Sequence, residues 1–142
     1  MQKSGIELTD TDICSEPVFH SFTAPVVIKR DFPEYSTANI LSSTFSHTTG
    51  SPDMSLFDEI IFVADYVEDG RKYENCILVR ETLFSAFASA KDREECISHL
   101  HIATVMALEF TIIDIIKKGK VLNERTVATR NAFRGRIPMP LL

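Results

Sequence analysis

Between Asp92 and Gly119 the chain leaves little choice of local structure. Ile97, Leu100, Thr104, Val105, Leu108, Ile112, Ile115 and Ile116 recur at helical spacing and draw one long apolar stripe. Asp92 is a good N-cap with Glu95 three residues on, and Gly119 follows Lys118 as a stop. The run from Ile102 to Ile116 is interrupted by Glu109 and Asp114, which marks a buried helix and not a membrane span. A stripe of this kind needs other helices to cover it, and the remaining sequence supplies them.

Residues 1–16 are polar, with Thr9, Asp10, Thr11 and Asp12 in succession, and read as a loop or loose tail. Pro17 suits a first helical turn, so a helix is predicted to carry His20 and to run to about Arg30, ended by Asp31-Phe32-Pro33. A second helix is expected over residues 34–46, with His47 at its C-terminal end, where a histidine suits the helix dipole. Thr48 to Asp53 is a loop by composition. Ser55 with Asp58 then forms a capping-box start for a helix with Leu56, Ile60, Val63 and Val67 on one side, stopped by Asp69-Gly70. Further helices are expected within 75–90 and over 126–134. No stretch alternates as a strand does, and the chain has only five glycines. The fold is therefore predicted to be all-α: a tail over 1–16, one helical bundle over 17–134 and a C-terminal tail over 135–142.

The 142 residues suffice for one domain. A net charge of −5 argues against nucleic acid or an anionic membrane as partner, though a small basic pocket for a phosphorylated ligand remains compatible with it. Cys14, Cys76 and Cys96 are widely spaced and lack a CxxC pair, which reads as three reduced thiols in a cytoplasmic protein. Met1 to Asp10 contains no apolar core of a secretory signal.

Asp65 stands inside the apolar run from Ile60 to Val67, where a carboxylate is costly unless compensated, and a metal ion would compensate it. His20 and His47, on separate helices, could converge on the same ion, since imidazole and carboxylate suit iron, manganese or zinc. Each histidine taken alone reads as an ordinary polar residue at a helix end, and the case for a ligand rests on Asp65 and on context. His99 and His101 lie two apart on one helix, point to different faces and read as structural. Arg71, after the Asp69-Gly70 turn, is either a solvated arginine or a phosphate clamp, and Thr48 and Thr49 could add hydroxyl and backbone donors to it.

The stretch from His47-Thr48-Thr49-Gly50 through Met54-Ser55 to Ala64-Asp65-Tyr66-Val67-Glu68-Asp69-Gly70-Arg71 resembles the HD-domain symmetrical diadenosine tetraphosphate hydrolases of bacteria, the YqeK-like group. Val18-Phe19-His20 upstream and Lys117 to Lys120 with Thr126 to Asn131 downstream extend the resemblance over about residues 5–134. It implies a helical bundle around two metal ions, iron first, with manganese or zinc as alternatives. It implies a hydrolase that cuts dinucleoside tetraphosphates into two nucleoside diphosphates. By that resemblance His20 and His47 hold one metal, Asp65 holds the other, and Arg71 lies near the substrate's phosphates, where Thr48 and Thr49 of the neighbouring loop would add contacts.

The family pattern also has an earlier histidine and a His-Asp dyad, and no histidine precedes His20 here. The expectation is an HD-like bundle truncated at its N-terminal side, with weak or no turnover because half the metal ligands are lacking. The alternative is a non-catalytic helical module that binds a nucleotide or another subunit. Helices lacking from the bundle would leave apolar faces open, so a homo-oligomer, or a second chain supplying the missing helices, is expected as partner.

Overall fold

The computed structural model describes residues 7–138, and among them every regular element is a helix. They are α1 (Asp10–Cys14), α2 (Phe19–Asp31), α3 (Ala38–Ser46), α4 (Leu56–Val67), α5 (Glu74–Ser89), α6 (Arg93–Lys117) and α7 (Glu124–Arg134), with single 3-10 turns at Glu16–Val18 and Pro33–Tyr35. The expected all-α architecture is borne out.

The caps stand where the chemistry asks for them. Asp92 accepts from the Glu95 amide at 2.9 Å, and the Glu95 carboxylate reaches back to the Lys91 amide at 2.8 Å. Gly119, at φ +63°, ends α6 by returning its own amide and that of Lys120 to the Ile116 and Ile115 carbonyls. Ser55 and Asp58 exchange side chain for backbone at 3.2 and 3.0 Å, which closes the capping box of α4.

α6 is the axis of the fold and packs against α4, α5 and α7. Leu100, Val105 and Leu108 from its stripe meet Phe62 and Val63 of α4, Val79 and Leu83 of α5 and Phe133 of α7 in one buried cluster. The last turn of the stripe is open, with Ile116 61% exposed. α2 and α3 pair as a second layer that joins the axis through α4. By length and composition α6 could cross a membrane; in this fold it is the central helix of the bundle.

The polar segment read as a tail contains α1, held by a capping box between Thr9 and Asp12. Asp12 is fully buried and accepts from Asn123 Nδ2 at 2.8 Å and from Arg125 Nε at 3.3 Å. Its anchors lie at the other end of the chain, which is why local composition conceals the helix. Of the C-terminal tail, residues 139–142 lie outside the described residues, and Ile137 is buried in the core cluster. On the far side of α4, Ile60 and Phe84 are 48% and 55% exposed beside an apolar groove of about 420 Å³ between α4, α5 and α6.

Candidate functional site

His20 sits in the first turn of α2 and His47 is the C-cap of α3, and the packing of these two helices brings the imidazoles together. Their Nε2 atoms are 3.1 Å apart, with ring centroids at 5.1 Å and planes inclined by 63°. His20 Nδ1 lies 3.1 Å from the Pro17 carbonyl, and His47 Nδ1 lies 2.6 Å from the Thr44 carbonyl. A carbonyl oxygen can only accept, so each Nδ1 carries a hydrogen and donates it. Both Nε2 atoms then turn lone pairs towards each other, an arrangement that repels unless a proton or a cation lies between them.

This donor set fits a metal ion. Neighbouring nitrogens bound at about 2.1 Å from one ion stand roughly 3.0–3.4 Å apart, which brackets the observed separation. A backbone carbonyl holding the second ring nitrogen is the usual way of fixing a metal-ligating histidine. The Thr48 hydroxyl approaches His20 Nε2 at 3.4 Å.

The turn that presents His47 is fixed from behind. The Gly50 amide donates to the Ser46 carbonyl at 2.8 Å, with Gly50 at φ +71°. Thr49 is fully buried and donates its hydroxyl to the Gly50 carbonyl at 3.1 Å. The turn rests on Thr129 of α7, itself fully buried.

Asp65 has a different partner. Its carboxylate accepts from Arg71 Nη2 at 2.9 Å, and both side chains are substantially exposed, 45% and 38%. Among the described residues no three histidine, cysteine, aspartate or glutamate side chains gather as a metal-ligand set. Asp65 is not embedded in the apolar face of α4: two residues on from Val63, it turns about 200° away from the core. The carboxylates α4 does bury are Asp58 and Glu59, 3% and 1% exposed. Glu59 accepts from His101 Nδ1 at 2.8 Å and from the Thr104 hydroxyl at 2.7 Å, which gives His101 its structural role.

Arg71 is placed by Arg80 of α5, a residue sequence inspection does not single out. Arg80 donates to the carbonyls of Val67, Glu68 and Arg71 at 2.6, 2.5 and 2.9 Å. Arg71 also borders a polar cleft of about 490 Å³ with Tyr66, Tyr73, Asn75, Thr111 and Lys118. Burial pushes the Tyr66 phenol up, reinforced by Cys76 beside it, so this edge of the cleft stays neutral. Arg130 is held by Glu109 of α6 at 2.5 and 2.9 Å, and Thr126 is buried; both serve packing of α7.

No family model matches the chain. It is 32% identical over 93 residues to a symmetrical bis(5'-nucleosyl)-tetraphosphatase of Halalkalibacterium halodurans and 27% identical over 93 residues to that of Bacillus subtilis. In each case the match takes in 66% of this chain and 43% of the relative, so the match spans less than half the length of these curated proteins. A crystal structure described as a predicted HD superfamily hydrolase involved in NAD metabolism, from Clostridium acetobutylicum, superposes with a TM-score of 0.76 at 30% identity, covering 95% of this chain and 64% of that one. The fold, the paired histidines behind the Thr-Thr-Gly turn and these relatives agree: the chain is similar in fold to an HD superfamily hydrolase and in sequence to symmetrical bis(5'-nucleosyl)-tetraphosphatases.

Proposed function

We propose that the chain carries a metal-binding wall of a cytoplasmic dinucleoside-tetraphosphate hydrolase, with His20 and His47 holding one divalent ion through their Nε2 atoms. The observation that carries this is the 3.1 Å Nε2–Nε2 approach with both Nδ1 atoms spent on carbonyls. Iron is the ion proposed, with manganese and zinc as alternatives for the same imidazole donors. When bound, such an ion polarises a phosphoryl oxygen and lowers the pKa of its water.

The protein's own part is to orient. The Pro17 and Thr44 carbonyls aim the two rings, and the Gly50 turn holds Thr48 beside them. Arg71, braced by Arg80 and partly exposed, is proposed to meet the phosphate chain, and the adjoining cleft has the volume and the aromatic side chains for a nucleotide moiety, with its Lys118 paired to Asp114. Thr49 contributes by setting the turn, since its hydroxyl is buried. Asp65 is proposed as a ligand for the second metal of the resemblance, which would compete with Arg71 for its carboxylate.

Two imidazoles make a weak site, so slow turnover is the expectation for this chain by itself. The reading is tested by purifying the protein from iron-supplemented cells, measuring bound iron, manganese and zinc, and following release of adenosine diphosphate from diadenosine tetraphosphate. Metal that co-purifies and falls at least tenfold in His47→Ala supports the site. A chain that binds the nucleotide with equal affinity before and after metal removal, and never turns it over, is the non-catalytic module instead.

A further inference from the structure

Asp58 is the one carboxylate of the described fold whose oxygen is buried without a hydrogen-bond partner. It is 3% exposed; Oδ2 accepts from the Ser42 hydroxyl at 2.8 Å and from the Ser55 amide at 3.0 Å, while no side chain or backbone donor reaches Oδ1. A buried carboxylate oxygen in that state destabilises the fold unless something else binds it. Asp58 lines a polar cavity of about 340 Å³ shared by Ser42 and Ser46 of α3 and by Ser51 and Asp53 of the turn after His47. The hydroxyls are already oriented. Ser42 gives its proton to Asp58 and Ser51 gives its proton to Asp53, so each keeps lone pairs for a further partner.

We infer that this cavity binds a hard divalent cation, magnesium or calcium, with Asp58 Oδ1 as its anchoring ligand. The polar donors are hydroxyl and carboxylate oxygens, which suit such ions; imidazole is absent, and the Met54 thioether is a poor ligand for them. Arg125 also lines the cavity, but its guanidinium is paired with buried Asp12 and lies 5.3 Å from the centre of the Phe45 ring, so Asp53 and Asp58 leave the site net negative. The volume exceeds one bare ion and accommodates its remaining waters. The ion would join α3, the 51–53 turn and the start of α4, clamping the segment that carries His47 and Thr48. It is separate from the imidazole pair in donors and in preferred metal.

The test is thermal unfolding of the full chain, dialysed free of metal and titrated with calcium chloride and separately with magnesium chloride, against sodium chloride at matched ionic strength. The expected result is a saturable rise of about 5 °C with one of the two divalent salts, retained in the His20→Ala/His47→Ala variant and lost in Asp58→Asn. Asp58→Asn keeps an oxygen for the Ser55 amide and so keeps the cap of α4. Asp53→Asn, in the exposed turn, should weaken the half-saturation at least threefold and decides the matter if Asp58→Asn does not fold. No rise with either salt, a rise matched by sodium, or one undiminished in both aspartate variants overturns the proposal.

Discussion

Gly50 lies so close to Thr129 that a β-carbon added to it would stand 2.6 Å from the threonine Cγ2. The contact binds the turn behind His47 to α7, and it explains the glycine twice over, because φ there is +71°. Gly50→Ala should destabilise the fold by about 2–4 kcal/mol in urea unfolding, from left-handed strain and overpacking together. The double variant with Thr129→Ala should recover the packing part, about half, and leave the strain. Full recovery would show that the backbone conformation carries no cost.

Asp12 ties the start of the chain to α7. Burial by itself would raise its pKa, but hydrogen bonds from Asn123, Thr9 and Arg125 outweigh burial and hold the carboxyl below its ordinary 3.8. A carboxyl depressed in the folded state stabilises above its unfolded pKa and loses that contribution as pH falls through the folded value. Asp12→Ala should therefore cost about 3 kcal/mol near neutral pH, with the gap from the parent protein closing below pH ~4. Urea midpoints at pH 7, 5 and 3 check this; a gap that widens in acid would contradict it.

Glu59 and His101 join α4 to α6 inside the core, with Thr104 as the second donor. Glu59→Ala removes the acceptor for both and opens a cavity, so a loss of about 3–4 kcal/mol is expected. Glu59→Gln keeps an oxygen for Thr104 and should lose about 1 kcal/mol. Equal losses in the two variants would mean that volume alone matters at this position. Circular dichroism during chemical unfolding reads both.

What the sequence discloses depends on how local the cause is. The boundaries of α4 and α6 follow from capping chemistry within four residues, and they fall where Ser55, Asp92 and Gly119 place them. α1 is hidden because its anchors, Asn123 and Arg125, are at the far end of the chain. Asp65 misleads because an apolar neighbourhood in sequence is not one in space: Val63 faces inward and Asp65 outward. The helical angle alone would have pointed to Asp58 and Glu59. The convergence of His20 and His47 is invisible to spacing, since it depends on how α2 crosses α3; only the family resemblance brings it forward.

Arg80 satisfies carbonyls that α4 leaves open at its C-terminal end, those of Val67 and Glu68, and the Arg71 carbonyl of the turn that follows, with Asp69 at 3.6 Å. Its long side chain is largely covered, so these hydrogen bonds are sheltered from water and each is worth more than a surface contact. Arg80→Ala should lower global stability by about 2 kcal/mol. Lysine cannot reproduce a guanidinium that spans three carbonyls, so Arg80→Lys should recover less than half. The sharper expectation is local: amide exchange over residues 67–72 should quicken well before that of the α6 core, because the turn loses its brace while the core keeps its packing. Arg71 would then lose its fixed position, and any nucleotide affinity carried by the neighbouring cleft should fall with it. Uniform acceleration across α6 and the turn alike would show instead that Arg80 supports the whole bundle and does not set Arg71.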